Sequence, residues 1–485
     1  MASIRSSLSS GILYTGATKY TGVLISIGIG AVLARILSPE EFGVVALITV
    51  FISFFSILSD VGIGPAIIQH KELTEEDVES IFLFTLILGV LLAILFYYSS
   101  TFIASFYNNV ALIPLIRLLS LSVLFNAWRT VPNALLLKKL KFKQVGIVLI
   151  TVQLCSGVFA IVLAYQGFSY YALVYKSIFD GLFFLLAFYF LAPVKIKVNL
   201  SWASLSKILT FSTFQFFFNF INYFSRNTDN LLIGRFIGPV ALGYYDKSYQ
   251  LMLMPVQNLT RVITPVLHPV LSEYQDDRNR IYFTYLKVVR LLATLGFPLS
   301  VFLYFNANEI IHIFYGPKWR QSIPVFEILA LTVGIQILLS SSGAIFQAVN
   351  RTDLLFYSGF LSAIFMVCGI CYGVFVEKSL LGIGYGLVVA FICNFLQGFY
   401  FLIKLALGSS FFGFIKLLFW PIITAGVLSV ALSLVVYIDL HSVFLLLLLK
   451  IVLSMLVFVV VNLFPRDQRT SLFKLYGTII AYFKR

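Results

Sequence analysis

A nine-residue pattern with the spacing Arg-x-x-x-Pro-x-x-x-Gly occurs twice in this chain. The first copy is Arg35-Ile-Leu-Ser-Pro39-Glu-Glu-Phe-Gly43 and the second is Arg235-Phe-Ile-Gly-Pro239-Val-Ala-Leu-Gly243. Each copy lies between two long apolar runs, so the repeated unit is a pair of predicted membrane helices. A duplicated helix pair in a mostly apolar chain is typical of transporters built from two repeated lobes. The pattern therefore predicts two related lobes with a substrate path between them.

The composition places the chain in a membrane. Apolar residues make up 60% of the 485 residues, and charged residues make up only 11%. A helix needs about 20 apolar residues to cross the hydrocarbon, and the sequence contains about fourteen such runs. We therefore predict an all-α polytopic membrane protein without strands, because backbone groups inside a bilayer must be satisfied within each helix. The predicted spans are centred near Gly22, Phe55, Leu91, Ser122, Leu154, Phe184, Asn219, Met254, Gly296, Ile335, Phe365, Val389, Ala425 and Ser454.

Loop charges predict the orientation. Lys and Arg are concentrated in one set of alternate loops, including 138–143 and the tail from Arg466, whereas the other set holds few, among them Arg35, Arg235 and Lys318. The positive-inside rule then predicts that both termini are cytoplasmic. The formal net charge of +14 is a topology signal that faces anionic headgroups, and it requires no nucleic-acid partner. No cleavage site follows the first apolar run, so we expect the first helix to be retained.

The repeat also predicts the domain boundaries. An even number of predicted spans, six, separates the two copies of the pattern, so the lobes are related by an axis along the membrane normal. The fold prediction is two pseudo-symmetric six-helix lobes in a parallel repeat, followed by two helices without a counterpart. The predicted domains are the N-lobe at 1–195, a cytoplasmic linker at 196–207, the C-lobe at 208–406, the last two spans at 407–465 and a basic cytoplasmic tail at 466–485.

Two consecutive predicted spans carry polar stripes. In both spans, polar residues recur at steps of three or four, which places them on one helical face. Lipid cannot solvate an arginine or an amide, so these faces must meet protein or a water-filled cavity. Pro255 and Pro265 interrupt the second of these spans and predict flexion points. The stripe residues are Ser212, Gln215, Asn219, Asn222, Arg226 and Asp229 on the seventh span, and Lys247, Gln250, Gln257, Arg261, Thr264 and His268 on the eighth.

The first lobe contains fewer polar residues inside its predicted spans. Lys19 lies within the first span and is a candidate for the wet path. Asp60 ends the second span, where it has either a functional role or a structural one as a cap. Lys176 and Asp180 lie four residues apart on the sixth span, and this spacing predicts that they neutralise each other.

The sequence predicts neither a metal site nor a redox site. Cys368 and Cys371 have the spacing of a redox or metal motif, but they lie mid-helix without nearby histidine or acidic partners. Small buried residues are the preferred interpretation. We predict no metal, no cofactor and no catalytic residue, and we do not expect an enzyme.

Five motifs occur in order along the chain: Leu37-Ser-Pro-Glu-Glu-Phe-Gly-Val-Val-Ala-Leu, Asp60-Val-Gly-Ile-Gly-Pro-Ala-Ile-Ile-Gln, Leu73-Thr-Glu-Glu-Asp, Asn227-Thr-Asp-Asn-Leu-Leu-Ile-Gly-Arg-Phe-Ile-Gly and Tyr315-Gly-Pro-Lys-Trp. Together they resemble the Wzx-type polysaccharide exporters of the multidrug, oligosaccharidyl-lipid and polysaccharide (MOP) flippase superfamily, in particular the colanic-acid and teichuronic-acid exporter type. The resemblance covers residues 11–406.

The resemblance implies a flippase that moves an undecaprenyl-pyrophosphate-linked oligosaccharide across a bacterial inner membrane, by alternating access around a cationic cavity. It also implies candidate partners, which are membrane lipids, a polymerase and other proteins of polysaccharide assembly. The residues suit this substrate, because Arg and Lys bind phosphate oxygens and amides bind sugar hydroxyls. A drug or organic-cation antiporter of the same superfamily would need a cavity dominated by acids and aromatics. A membrane glycosyltransferase or polymerase would need a sizeable polar domain.

The polar stripes and the resemblance together predict the site residues. For Arg226, an ion pair with Asp229 is the structural alternative to a cavity role. Asp60 and Asp229 are the carboxylates best placed to couple transport to a proton or a cation. The predicted translocation path contains Arg226, Arg261, Asn219, Asn222, Gln215, Lys247, Gln257 and Lys19.

Overall fold

The computed structural model is helical in the parts of the chain that it describes. By packing, the chain divides into two compact units, residues 1–243 and 244–485. No strand occurs in the described residues, in agreement with the predicted all-α class. The described residues are 2–60, 62–70, 72–196, 201–202, 204–206, 223, 227–435 and 442–464.

The first unit consists of long helices joined by short turns. Their sequences are rich in Leu, Ile, Phe and Val, and each helix satisfies its own backbone groups, as a bilayer requires. A helical stretch covers 227–236, and α8 (Pro239–Ser272) begins in this unit and continues into the second. The preceding helices are α1 (Ala2–Ile36), α2 (Pro39–Asp60), α3 (Ile63–Gln69), α4 (Glu75–Tyr107), α5 (Leu112–Lys138), α6 (Phe142–Tyr165) and α7 (Tyr171–Leu191).

The second unit continues the same plan with shorter elements among the long ones. Turns of π-helix at Tyr372–Val376 and Phe401–Ala406 extend two of its helices. The helices after α8 are α9 (Arg278–Phe305), α10 (Ala307–Phe314), α11 (Ser322–Ala330), α12 (Val333–Ala348), α13 (Thr352–Cys371), α14 (Leu380–Tyr400), α15 (Phe411–Val435) and α16 (Val443–Leu463).

The helices long and apolar enough to cross a membrane number eleven in the described residues, or twelve if the bent pair α11 and α12 is one span. These twelve coincide with twelve of the predicted span centres. The centre at Asn219 lies outside the described residues. The centre at Met254 lies in α8, which is helical but more polar than the others and is not among the eleven. The predicted count of fourteen is therefore not confirmed, and the lobe boundaries at 195 and 208 stay a prediction.

Helix ends follow local sequence signals. The Thr74 hydroxyl accepts a hydrogen bond from the backbone N–H of Asp77, and the Asp77 carboxylate accepts one from the backbone N–H of Thr74. This reciprocal pair satisfies two N–H groups that a helix start leaves without partners. The motif Leu73-Thr-Glu-Glu-Asp therefore has a structural role, because it begins α4.

The two copies of the duplicated pattern pack against each other within the first unit. A Cβ atom added at Gly43 would collide with the backbone carbonyl of Pro239, and one added at Gly243 would collide with the carbonyl of Pro39. Glycine allows two backbones to approach this closely where helices cross. Pro39 and Pro239 also begin α2 and α8, a position at which the missing N–H of proline costs nothing. The proline that begins each helix therefore packs against the glycine of the other copy of the pattern.

Candidate functional site

A cavity of about 630 Å³ lies within the first unit, between helices α1, α5, α6 and α7. Much of its wall is aliphatic and aromatic, including Leu137, Leu149, Phe184 and Phe188. The polar lining is concentrated in a few long side chains rather than spread over small hydroxyls. The polar side chains in the lining are Thr18, Lys19, Arg129, Asn133, Gln153, Lys176 and Asp180.

Lys176 and Asp180 form an ion pair on the cavity wall. Lys176 Nζ lies 2.7 Å from Asp180 Oδ2, and each side chain is 25% exposed. The predicted pairing of these residues is confirmed. The second carboxylate oxygen, Asp180 Oδ1, is buried and accepts no hydrogen bond from any described residue. The pair therefore leaves one strong acceptor free for a further donor.

Arg129 is the second strong cation of the wall. Its guanidinium carbon lies 5.1 Å from the centroid of the Phe184 ring, and it interacts electrostatically with Asp180. This cation–π contact with Phe184 does not use the N–H donors of the guanidinium. Those donors therefore remain suited to a planar, oxygen-rich anion.

One hydrogen bond joins α5 to α7, the two helices that carry these charged side chains. Asn126 Nδ2 donates to Ser122 Oγ at 3.3 Å, and Ser122 Oγ donates to the backbone oxygen of Ser177 at 3.2 Å. Ser177 follows Lys176 directly in α7, and Asn126 precedes Arg129 by one turn of α5. The bonded helices therefore keep Arg129 close to the ion pair.

The opposite wall is formed by α1 and α6, which cross at short distance. A Cβ atom at Gly146 would collide with the Thr18 side chain, so glycine there lets the helices approach. Gln153 Nε2 donates to the backbone oxygen of Gly22 at 3.1 Å. Lys19 lies on the same stretch of α1 and its side chain is exposed. This crossing brings the predicted path residue Lys19 into the cavity lining.

The lining combines cations, amides and apolar surface in one space. Among the described residues, its charged groups are Lys19, Arg129 and Lys176 as cations and Asp180 as the anion. Isolated charges at membrane depth are costly and are found at ion or substrate paths. Arg and Lys bind phosphate oxygens through charge-assisted hydrogen bonds, and amides can bind hydroxyl groups. The site is therefore suited to an amphiphile with an anionic, hydroxyl-rich head.

Several predicted site residues cannot be located in this site. Gln215, Asn219, Asn222 and Arg226 lie outside the described residues, as does the side chain of Arg261, whose backbone belongs to α8. Their place in a translocation path stays a prediction.

One of the remaining candidates on α8, Lys247, belongs to a small polar group in the second unit. Lys247 Nζ lies 3.4 Å from Gln250 Oε1, and Gln250 Nε2 donates to Asp246 Oδ2 at 2.8 Å. The structure thus adds Asp246 to two predicted stripe residues. Gln257 lies about two turns further along the same helix.

The two predicted coupling carboxylates occupy different surroundings. Asp60 Oδ1 accepts a hydrogen bond from the backbone N–H of Gly64 at 3.3 Å, near the start of α3. This contact gives Asp60 a structural role beside the start of α3, whose N-cap residue is Gly62. Asp229 is 6% exposed, and its Oδ1 accepts a hydrogen bond from the backbone N–H of Asn230 at 2.8 Å. A coupling role for either residue stays a prediction.

Sequence reasoning missed Arg129, Asn133 and Gln153. A signal for the first two was present, because Asn126, Arg129 and Asn133 recur at steps of three and four in an apolar span. That is the same period as in the predicted C-lobe stripes. Gln153 is a single amide in its span and gives no periodic signal.

Comparisons with known proteins identify relatives along most of the chain. A family model described as polysaccharide biosynthesis protein matches residues 32–324. The teichuronic acid biosynthesis protein TuaB of Bacillus subtilis (strain 168) is 27% identical over 438 residues, which cover 86% of this chain and 87% of that protein. The lipopolysaccharide biosynthesis protein WzxC of Escherichia coli (strain K12) is 26% identical over 404 residues, 82% of each chain.

A solved structure shows the fold. The lipid II flippase MurJ, in an inward closed conformation, superposes with a TM-score of 0.72 at 16% sequence identity, over 93% of this chain and 98% of that one. The present chain therefore has the same helical fold as that protein.

Proposed function

The chain belongs to the polysaccharide biosynthesis protein family, and on that premise we propose that it flips a lipid-linked oligosaccharide across a bacterial inner membrane. The substrate class is a polyprenyl-pyrophosphate-linked repeat unit for a surface polysaccharide. The observation that carries the proposal is the cavity of the first unit, in which Lys19, Arg129 and Lys176 line a space within a multi-pass membrane protein. The names of the relatives, which concern teichuronic acid and lipopolysaccharide biosynthesis, favour the same substrate class.

The physical problem of this transport is the head of the substrate. A pyrophosphate with an attached glycan is costly to move through hydrocarbon, whereas its prenyl tail is not. A wall that supplies donors to the phosphates lowers that barrier while the tail stays in lipid. In this proposal Arg129 binds two phosphate oxygens through its fork of N–H groups, and Lys19 and Lys176 act as point charges. Asn133 and Gln153 then hydrogen-bond to the first sugar.

The remaining parts of the mechanism extend the proposal beyond the cavity. The two lobes, 1–195 and 208–406, expose the site alternately to the two sides of the membrane. Arg226 and Arg261 complete the anion path in the second lobe, and Asp60 or Asp229 couples the movement to a proton or cation. Both termini are cytoplasmic, and a polymerase receives the product. The cavity lies beside the basic turn at 138–143, the side on which loading is expected.

A drug or organic-cation antiporter fits the cavity less well. Such a protein needs more acids than bases to attract a cation, and the described lining has three basic side chains and one acidic one. The sign of the charge therefore favours an anionic substrate.

Export in cells lacking the native gene tests the proposal. We expect Arg129→Ala to abolish surface polysaccharide and to cause lipid-linked precursor to accumulate, with normal amounts of the protein in the membrane. Arg129→Lys should restore only part of the export, because lysine keeps the charge but lacks the bidentate fork.

The chain offers a matched control on the same helix. Arg117 also belongs to α5, and its guanidinium carbon also lies 5.1 Å from an aromatic ring, that of Tyr97, but it does not line the cavity. Arg117→Ala should therefore leave export unchanged. Normal export by a stably inserted Arg129→Ala and Lys19→Ala double variant would refute the cavity as the phosphate site.

A further inference from the structure

The α5–α6 turn (139–141) adjoins the cavity. Leu137 before the turn and Phe142 after it both line the cavity. The lining residues that α6 contributes all lie between Phe142 and Gln153, in the half of that helix next to the turn. The cavity therefore extends to the turn. Arg129 precedes Leu137 by eight residues, which is about 12 Å along α5.

The length of α6 places the α5–α6 turn in the headgroup layer of the membrane. This helix is apolar enough to cross a bilayer and has 24 residues, so it is about 36 Å long. The hydrocarbon of a bilayer is about 30 Å thick, and the bilayer with its headgroups is about 40–45 Å thick. A spanning helix of this length reaches the headgroups at each end. The turn therefore lies at the level of the lipid phosphates.

Two lysines of the α5–α6 turn present positive charge at this level. The side chains of Lys139 and Lys141 are exposed, and in the described part of the chain neither takes part in a hydrogen bond or an ion pair. Lys138 differs, because its Nζ donates to the backbone oxygen of His70 at 2.6 Å. That contact ties the turn to the end of α3 and leaves Lys139 and Lys141 accessible to a ligand.

Leu140 lies between these lysines in a conformation that leucine rarely adopts. Its φ is +56°, and the N–H of the next residue donates to the backbone oxygen of Leu136 at 3.0 Å, a helix-ending hydrogen bond that usually has glycine at this position. α6 ends with the same bond, from Phe168 to Leu163, and there the left-handed residue is Gly167. Leu140 is 63% exposed, so it gains little from packing in the protein. Its presence indicates an apolar partner outside the chain.

An exposed leucine between two exposed lysines suits a ligand with an anionic head and an apolar chain. A lipid-linked diphosphate carries its phosphates at the headgroup level and its prenyl chain in the hydrocarbon beside them. Like charges at the entrance of a cavity raise the local concentration of an oppositely charged ligand and speed its association. Charges at the rim of a site act mainly on the association rate, whereas groups that bind the ligand inside act mainly on the dissociation rate.

We propose that the α5–α6 turn is a capture site, at which Lys139 and Lys141 attract the diphosphate head and Leu140 contacts the prenyl chain before the head enters the cavity. This inference rests on the proposed function, because the occupant is the same lipid-linked substrate. Capture is a rapid equilibrium that precedes entry. The turn therefore determines how fast the head reaches the cavity, and Arg129 determines how long it stays there.

Binding kinetics separate capture from retention. The probe is a short-chain prenyl diphosphate N-acetylglucosamine, added from water to the purified full-length protein in nanodiscs of zwitterionic lipid. Stopped-flow measurements give kon and koff at low salt and at about 1 M salt, where the Debye length falls to about 3 Å.

Neutralising the two lysines should slow association alone. Lys139→Gln with Lys141→Gln should lower kon about three- to tenfold at low salt and leave koff unchanged. The difference from native protein should disappear at high salt, because salt screens exposed charges. Arg129→Gln should raise koff instead. The matched control is Lys404→Gln with Lys416→Gln, which removes the same charge from two exposed lysines of the second unit that do not line the cavity, and it should keep the native kon.

Leu140→Gly tests the apolar part of the capture site. Glycine adopts a positive φ without strain, so the variant should fold normally. Loss of the leucine side chain should lower kon for the probe about two- to threefold, because part of an apolar contact is lost. A native kon in this variant would overturn the contact of Leu140 with the prenyl chain.

The outcomes separate this inference from the proposed function. If the native protein does not bind the probe, both fail. If Arg129→Gln weakens binding but the variant of both turn lysines keeps the native kon at low salt, the capture site is wrong while the proposed function stands. An equal loss of kon in the control variant would mean that only net charge matters, and it would also overturn the inference. So would a difference that is present only in nanodiscs containing phosphatidylglycerol, since the turn would then be a phospholipid site.

Discussion

The protein contains two lysine–carboxylate pairs of equal length in very different surroundings. In the first unit, Lys176 Nζ and Asp180 Oδ2 lie 2.7 Å apart with 25% exposure of each side chain. In the second unit, Lys450 Nζ and Glu309 Oε1 also lie 2.7 Å apart, but their side chains are only 5% and 4% exposed. The first pair is on a cavity wall and the second is sealed in protein. Distance alone therefore does not tell what such a pair does.

The sealed pair has the features of an anchor. Lys450 belongs to α16, the last described helix, and also donates to the backbone oxygen of Phe305 at 2.8 Å. Glu309 belongs to the short helix α10, so the pair joins α16 to α10 within the second unit. The Lys176–Asp180 pair joins no distant parts of the chain, because both residues lie on α7. Access to a cavity therefore distinguishes this pair from the Lys450–Glu309 pair, which joins two helices.

Breaking the sealed pair should give the largest loss of stability. Lys450→Ala leaves a buried carboxylate without its counter-charge, which costs about 3–5 kcal/mol. Thermal unfolding in detergent and the amount of protein in the membrane measure this loss. Lys176→Ala, the matched change in the open pair, should cost only about 1 kcal/mol or less.

The double variant Lys450→Met with Glu309→Leu should recover most of the lost stability, since apolar residues can replace a buried pair. Equal losses of stability from Lys450→Ala and Lys176→Ala would contradict the comparison, because the exposure of a pair would then not affect how much it stabilises the protein.

A second test extends the contrast between sealed and open positions to glycine. Gly43→Ala should destabilise the protein by about 1–3 kcal/mol, since the new Cβ would collide with a backbone carbonyl that cannot rotate away. Gly30 in α1 has no atom within 4 Å of an added Cβ, so Gly30→Ala should be neutral or slightly stabilising. The same thermal unfolding assay applies. A harmless Gly43→Ala would mean that the close packing of the duplicated pattern is dispensable.

The smallest effect on stability is expected at a third carboxylate, which is neither paired with lysine nor part of the cavity lining. Asp60→Asn keeps an oxygen that can accept the Gly64 N–H, so stability should change by less than about 0.5 kcal/mol. The substitution removes the charge that a coupling role requires. Loss of export by this stable variant would support coupling at Asp60, and unchanged export would leave Asp60 with a structural role only.

Helical periodicity predicted which residues of one helix lie together, but it did not predict which residues of other helices they contact. The spacing of Lys176 and Asp180 was enough to predict their pairing, because both residues belong to one helix. Nothing local indicated that Arg129 and Lys19 lie on the walls facing them. Glu309 and Lys450 are 141 residues apart, and no sequence pattern links them.

The duplicated pattern shows the same limit at a larger scale. It predicted repeated helix pairs, and the helices α2 and α8 that follow its prolines are present. It did not predict that Gly43 would pack against Pro239, since that contact depends on how distant parts of the chain assemble. The predicted stripe from Gln215 to Arg226 lies outside the described residues, so its role stays a prediction.

The affinity of the cavity for a diphosphate head is the most direct test of its role. We would measure binding of the prenyl diphosphate N-acetylglucosamine probe to native protein, Arg129→Gln and Arg117→Gln in nanodiscs. Both substitutions remove one charge and one cation–π contact from α5, but only Arg129 lines the cavity. We expect Arg129→Gln to weaken binding at least about tenfold, through the loss of charge-assisted hydrogen bonds, and Arg117→Gln to bind like the native protein. Equal affinity in all three proteins would contradict the assignment of this cavity as the binding site.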